Sequence, residues 1–158
     1  MTPLPSYSGP CWRAVAAGRQ DVALEGTVRA GRYNRSSERT LYMSNSPEGV
    51  AAAMARYGDA PRELVKLTVW AERLIDLRDL GLCTCLAIDP SAAKQGWLAA
   101  LNRGDEPTSW AIADRARELG ATGLIDASRQ AWKEWHLILF RWNVAGGASV
   151  TVDGPSRG

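Results

Sequence analysis

From His136 to Trp142 the chain reads HLILFRW, apolar at nearly every position and without the polar alternation of a strand that has one face in water. Such a run marks a central strand covered on both faces, so layers must form on both sides of a sheet. Five further segments read as short strands: Cys11–Val15, Thr40–Ser44, Glu63–Trp70, Arg73–Leu77 and Thr122–Ala127. In Glu63–Trp70 the apolar positions Leu64, Leu67 and Val69 indicate a half-buried strand, and Arg73–Leu77 reads as a paired one. Helices fall between the strands irregularly. Ser46 at the cap, Pro47 at the first helical position and Glu48 in the first turn open one helix. Its Val50, Met54 and Tyr57 share a face, and Gly58 is placed to end it. Asp89-Pro90 opens a second helix, with Trp97, Leu98 and Leu101 on its buried side. Thr108 caps a third, Ser109–Leu119, stopped by Gly120. Strands mixed with short helices, without regular βαβ alternation, predict an α+β fold.

The 158 residues, 46% of them hydrophobic, suffice for one core. A single domain is expected over 11–152, between tails at 1–10 and 153–158 rich in Pro, Ser and Gly. Nineteen basic against seventeen acidic residues leave a net charge of +2, which gives no electrostatic reason to expect direct nucleic-acid binding. No apolar run approaches the roughly 18 residues needed to span a bilayer. Met1–Pro5 has neither the basic start nor the apolar stretch of a secretory signal, so a cytoplasmic location and no membrane contact are expected. Cys11, Cys83 and Cys85 read as reduced, buried thiols. Cys83-Thr84-Cys85 lacks a second ligand pair, so no metal is expected.

Phosphate-cradling glycine loops and the G-x-S-x-G elbow are missing from the sequence, and Gly146-Gly147 reads as a hairpin turn. The single histidine, His136, lies inside the apolar strand. That argues for a structural histidine and against a Ser–His or Cys–His hydrolase. The seven tryptophans fall mostly on faces expected to be buried. Trp132 and Trp135, around Lys133-Glu134, suit core packing or else the lining of a pocket or partner surface. Two polar clusters stand out. In the glycine-punctuated loop Leu24–Asn34, Arg32-Tyr33-Asn34 follows Gly31, and a guanidinium beside a glycine can grip a phosphate while the backbone approaches closely. Ser128-Arg129 follows a strand end. Each alone carries little, since exposed arginines are common; their order and spacing carry more.

Taken together, five segments resemble the RES family, named for a shared arginine, glutamate and serine. They are Trp12-Arg13-Ala14-Val15, Gly31-Arg32-Tyr33-Asn34, Leu41-Tyr42-Met43-Ser44 through Ser46-Pro47, Leu74–Asp79, and Trp110 followed by Gly123–Arg129 and Leu137–Phe140. The resemblance implies a fold similar to ADP-ribosyltransferase toxins: two small mixed sheets flanked by short helices, with NAD⁺ in a central cleft. It implies a toxin restrained by a cognate antitoxin, usually a helix-turn-helix protein through which any DNA contact would be made. Some members of the family degrade NAD⁺ by hydrolysis or phosphorolysis; one branch transfers ADP-ribose to a protein, the enzyme that makes phosphoribosyl pyrophosphate. The family's arginine falls on Arg32, its aromatic on Tyr33, its second tyrosine on Tyr42 and its serine on Ser128. Its glutamate does not carry over, because the corresponding position is Ala53. Glu48 is the nearest carboxylate, although a first-turn acid is also favoured by the helix dipole; Glu63 and Glu72 lie further along. The expected roles are Arg32 on the pyrophosphate, Tyr33 or Tyr42 against nicotinamide, Ser128 on the ribose or carboxamide, and Glu48 as the working carboxylate. ADP-ribosyl transfer to a protein is the leading expectation. NAD⁺ hydrolysis or phosphorolysis, and a non-catalytic binding module on the same fold, are the alternatives.

Overall fold

In the computed structural model, residues 3–55, 58 and 60–153 are described. Seven strands, β1 (Tyr7–Ala16), β2 (Leu41–Ser44), β3 (Arg62–Ala71), β4 (Leu74–Asp76), β5 (Gly123–Ala127), β6 (Trp135–Leu139) and β7 (Ser149–Val152), form one mixed sheet. Among the described residues four α-helices accompany it: α1 (Pro47–Met54), α2 (Leu80–Cys85), α3 (Trp97–Asn102) and α4 (Ser109–Glu118). The strand order is β4-β5-β6-β2-β1-β3-β7; only β4 and β5 run parallel. The architecture is α+β.

β6 is buried on both sides, as its apolar run requires. Leu137 and Leu139 join Leu41, Leu67, Val69, Ile125 and Val150 in one core. Ile138 points the other way, to Leu124, Ile75, Ile112 and Ala116 beneath α4. Truncating any of these large side chains to alanine would cost about 2–5 kcal/mol.

The two small sheets that were expected are two halves of one sheet, β4-β5-β6-β2 and β1-β3-β7, meeting at a narrow joint. β1 and β3 are registered over ten pairs, from Tyr7↔Ala71 to Ala16↔Arg62. β1 and β2 are registered at Trp12↔Ser44 alone. The chain leaves β2 almost at once because Ser46 caps α1, its hydroxyl accepting from Gly49 N at 3.0 Å.

Other local expectations shift for identifiable reasons. In β3 the buried positions are Val65, Leu67, Val69 and Ala71, so Leu64 and Trp70 face outward. The segment at Arg73–Leu77 pairs in parallel with β5. The helix expected from Asp89-Pro90 is broken: a 3₁₀ turn at Pro90–Ala93 stops, Gly96 caps the separate α3, and Leu98 is exposed. Tyr7–Pro10, expected in a tail, belong to β1, because ten consecutive partners on β3 hold them. α2 and β7 were not anticipated. Trp132 is not core: it is 85% exposed, whereas Trp135 packs edge-on to Tyr7, ring centres 5.0 Å apart. Cys85 is exposed, while Cys11 and Cys83 are buried free thiols. Tyr57 and Gly154–Gly158 lie outside the described residues. Among the described residues no helix is long and apolar enough to cross a membrane.

Gly123, where β5 pairs with Leu139 of β6, has no room for a side chain. A Cβ there would lie 2.1 Å from the Ile138 carbonyl oxygen, which the strand cannot move. Gly123→Ala is expected to cost about 3 kcal/mol or more, read as a lowered midpoint in urea unfolding with unchanged slope.

Candidate functional site

The loop Gly31–Asn34 is fixed by side chains that reach back to its own backbone. Asn34, almost fully buried, donates from Nδ2 to the carbonyls of Arg29 (2.8 Å) and Arg35 (2.9 Å). The Tyr42 hydroxyl donates to Asn34 Oδ1 (2.6 Å) and accepts from Tyr33 N (3.0 Å). Both groups close over Gly31, where a Cβ would sit 2.7 Å from Asn34 Oδ1 and 2.9 Å from the Tyr42 oxygen. From the other side, Trp110 Nε1 donates to Gly31 O (2.8 Å) and Ser109 Oγ donates to Arg32 O. A loop held this way positions two side chains. Arg32 donates from Nη1 to Ala93 O (2.7 Å), at the end of the 3₁₀ turn. Tyr33 turns inward, and its hydroxyl donates to Asp126 Oδ2.

Asp126 belongs to a row that crosses the sheet. Register places Asp126 of β5 beside His136 of β6, His136 beside Ser44 of β2, and Ser44 beside Trp12 of β1. Cross-strand partners share a face, so these four side chains form one ladder, on the same side as Ile138 and Tyr42. Above it lies a cleft of about 500 Å³. Its wall also includes Arg32, Tyr33, Val50, Ala53, Trp97 and Ser128, together with Arg13 and Met43 from the opposite pleat of β1 and β2. Those last two reach the cavity where the strands part beyond Trp12↔Ser44.

The charge of this wall is lopsided: Arg13, Arg29, Arg32 and Arg129 face a single carboxylate, Asp126. Arg129 Nη1 also donates to Asp126 Oδ2 (2.9 Å), so both donors fall on one oxygen and Oδ1 has no protein donor among the described residues. Burial, and then the adjacent carboxylate, push the Tyr33 hydroxyl well above its ordinary range; it stays protonated and donates to Asp126. Ser44 Oγ and His136 Nδ1 share a hydrogen bond of 2.8 Å. Burial lowers the His136 pKa, outweighing the pull of Asp126 upward, with Arg129 and Arg32 adding to the lowering. The ring is therefore neutral at physiological pH. Ser128 Oγ accepts from Ala131 N (3.1 Å) and Gln130 N (3.3 Å), which leaves its proton available to donate. No cluster of three or more metal-ligating side chains is found among the described residues.

The RES domain family model matches residues 10–157. The chain belongs to the RES domain family. The fold is also similar to that of a chain in the crystal structure of the M. tuberculosis MbcT–MbcA toxin–antitoxin complex, with a TM-score of 0.59 at 16% identity, covering 96% of this chain and 87% of that one. No curated protein matched in sequence.

In this RES domain the structure brings Arg32, Tyr33, Tyr42 and Ser128 to one cavity. It does not bring Glu48 there. Glu48 is exposed in the first turn of α1 and is not part of the cleft wall, where dipole and solvent alone account for it. Glu63 is engaged elsewhere, accepting from Gly18 N and Gln20 Nε2, and Glu72 is exposed. Ala53 does line the cleft. Sequence reasoning did not single out Asp126, although it lies inside the segment Gly123–Arg129, and took His136 for a structural residue. The available signal was parity: Asp126 is two residues from Leu124, and His136 two from Ile138, so each pair shares a face.

Because the chain has one histidine, its titration is separable. Above pH 6.5 the ring is neutral folded and unfolded, so stability is fully present. Below 6.5 the unfolded chain takes the proton first, and stability falls until the lowered folded pKa is reached. Unfolding free energy is expected to decline in this window by up to about 1.4 kcal/mol per pH unit. His136→Gln should flatten that slope in urea titrations; an unchanged slope would refute the assignment.

Proposed function

We propose that this RES domain is the toxin of a toxin–antitoxin pair, and that its cleft binds NAD⁺ and breaks the nicotinamide–ribose bond, passing ADP-ribose to a protein. The observation that carries this reading is the convergence of Arg32, Tyr33, Tyr42 and Ser128 on one cleft of about 500 Å³ with four arginines and a single acid. That volume lies in the range of small-molecule sites, and the charge suits a ligand with a diphosphate. The likeness to a toxin–antitoxin complex supports a cognate antitoxin as partner.

In this reading Arg32 holds the diphosphate, Tyr42 lies against nicotinamide with Tyr33 behind it, and Ser128 donates to the ribose or the carboxamide. Asp126 takes the place expected for Glu48. Its Oδ1 accepts from a ribose hydroxyl and favours the positive charge that grows at C1′ as the bond to nitrogen breaks. The bonding electrons leave with nicotinamide, which departs uncharged. The acceptor's lone pair then forms the new bond to C1′, and its proton passes to the neutral His136 or to solvent. With Ala53 where the family's acid belongs, Asp126 already held by Tyr33 and Arg129, and the basicity of His136 lowered by burial, the cleft is poorly equipped to activate water. An acceptor side chain from a docked protein, the synthetase that makes phosphoribosyl pyrophosphate being the implied candidate, fits this shortage better than hydrolysis or phosphorolysis.

Labelled NAD⁺ incubated with the purified chain alone, with phosphate, and with cell lysate separates the acceptors. A labelled protein is expected. Free nicotinamide without any labelled protein would sink the transferase reading in favour of hydrolysis or phosphorolysis, and NAD⁺ bound but left intact would mean a binding module. Arg32→Ala is expected to raise KM, and Asp126→Asn to lower kcat about 100-fold with KM little changed. A fully active Asp126→Asn chain would remove Asp126 from the mechanism.

A further inference from the structure

We propose that Trp97 is the platform on which the adenine of a bound dinucleotide stacks, so that the cleft selects nucleotides carrying a base beyond the diphosphate. This deepens the dinucleotide reading and rests on it for the identity of the ligand. Trp97 opens α3, and Gly96 before it is extended and ends the run from the 3₁₀ turn. A continuous helix from Asp89 would put Trp97 on a buried face with Leu98 and Leu101. The break at Gly96 takes it off that face, and Trp97 lines the cleft instead.

Trp97 is half-buried, yet among the described residues it packs against neither core. Among the same residues its ring meets no other aromatic ring and no cation, and its indole N–H meets no acceptor. The other tryptophans that are not exposed are all engaged. Trp110 and Trp142 donate from Nε1 to Gly31 O and Leu24 O, each at 2.8 Å. Trp135 packs on Tyr7, and Trp12, the other tryptophan of the cleft wall, carries the Lys66 ammonium over its ring at 5.7 Å. A large ring kept at a cavity wall without a protein partner offers its face to a planar ligand, and a base stacked on such a ring gains about tenfold or more in affinity.

The contacts of the wall place that ring where an adenine would fall. Tyr33 reaches Asp126. Arg32, its neighbour in the loop, turns instead to Ala93 O (2.7 Å) and Gln95 O (3.4 Å). Trp97 follows two residues after Gln95, so their Cα atoms lie within about 7 Å of each other. The order of contact is therefore Asp126, Tyr33, Arg32 and then the segment that carries Trp97. With the reacting ribose at Asp126 and the diphosphate on Arg32, one ribose remains before the adenine, and Trp97 is the aromatic next along the wall.

Calorimetry and thermal unfolding of the full chain decide this without turnover, with NAD⁺, ADP and nicotinamide mononucleotide as ligands for the wild type and Trp97→Ala. Trp97→Ala should bind NAD⁺ and ADP about tenfold more weakly or worse. It should bind nicotinamide mononucleotide as the wild type does, and unfold without ligand at the wild-type temperature. Trp97→Phe, which keeps a ring, should recover most of the loss. Unchanged NAD⁺ and ADP affinities overturn the proposal. So does a loss shared equally by nicotinamide mononucleotide, or a lower unfolding temperature without ligand, either of which would make Trp97 a structural residue. If Trp97→Ala does not fold, Trp97→Leu carries the same comparison, and failure of both to fold also overturns it. ADP binding weakened in Trp97→Ala, with NAD⁺ never cleaved by the wild type, would leave the platform standing and remove the proposed reaction. NAD⁺ cleaved with the same KM by both chains would remove the platform and leave the reaction. A wild type that binds none of the three ligands overturns both.

Discussion

One residue pair, Trp12 with Ser44, joins the two halves of the sheet, and the site depends on that narrowness. Had β1 and β2 paired along their length, as β1 and β3 do over ten positions, backbone hydrogen bonds would have sealed the surface between them. Pleating would then have kept Arg13 and Met43 on the far side from Trp12 and Tyr42. Instead the strands part, and one cavity is walled by side chains from both pleats. The cause is local. Ser46 and Pro47 turn the chain into α1 two residues beyond β2, and Ser46 is anchored twice, accepting from Gly49 N and donating to Glu134. A cap worth about 1 kcal/mol thereby sets where a seven-stranded sheet opens.

The cleft is held in shape by a small polar network that ties the loop Gly31–Asn34 to the end of β5. Tyr33 is buried because its ring fills the core below α4, and its hydroxyl finds in Asp126 the acceptor such burial requires. Asp126 in turn tolerates its own burial because Tyr33 and Arg129 both donate to it. Neither partner is well placed without the other. The loop side of the bargain is settled by Asn34 and Tyr42, whose bonds leave only a glycine's width at position 31. Charged groups oriented before a ligand arrives need no reorganisation when it does.

Those elements whose evidence is local were legible in the sequence. HLILFRW announced a strand covered on both faces, and Leu137, Ile138 and Leu139 are buried accordingly. Ser46-Pro47 and Ser109–Leu119 announced helices at their starts. What failed depended on distant partners. β7 is only four residues, and its identity as a strand comes from β3, some eighty residues earlier. Leu64 was grouped with Leu67 and Val69 because it is large and apolar, whereas Val65 and Ala71 share the buried face with those two. The candidate site divides the same way. Arg32, Tyr33, Tyr42 and Ser128 could be named from motifs quoted residue by residue. Asp126 and His136 could not, since their importance lies in being neighbours across β5 and β6, a fact that only register supplies. Glu48 was chosen by proximity in sequence, and proximity along a helix start is not proximity to a cleft.

The balance of charge in the wall constrains any chemistry there. Four arginines around one carboxylate favour an anionic ligand but oppose positive charge developing on it. In a cleft of low effective dielectric both effects are larger than in water. Placement must therefore separate them, with the arginines near the anionic part of the ligand and the carboxylate near the reacting carbon. Register separates one of the arginines: Asp126 stands at the β5 end of the ladder with Arg129 bonded to it, while Arg13 follows Trp12 at the β1 end. Three inter-strand steps, about 14 Å at the usual strand spacing, lie between those two strands. A ligand lying across the ladder can present a negative group at one end and a ribosyl carbon at the other. In the absence of such a ligand the arginine end is the costly one, with a largely buried cation that no side chain among the described residues neutralises.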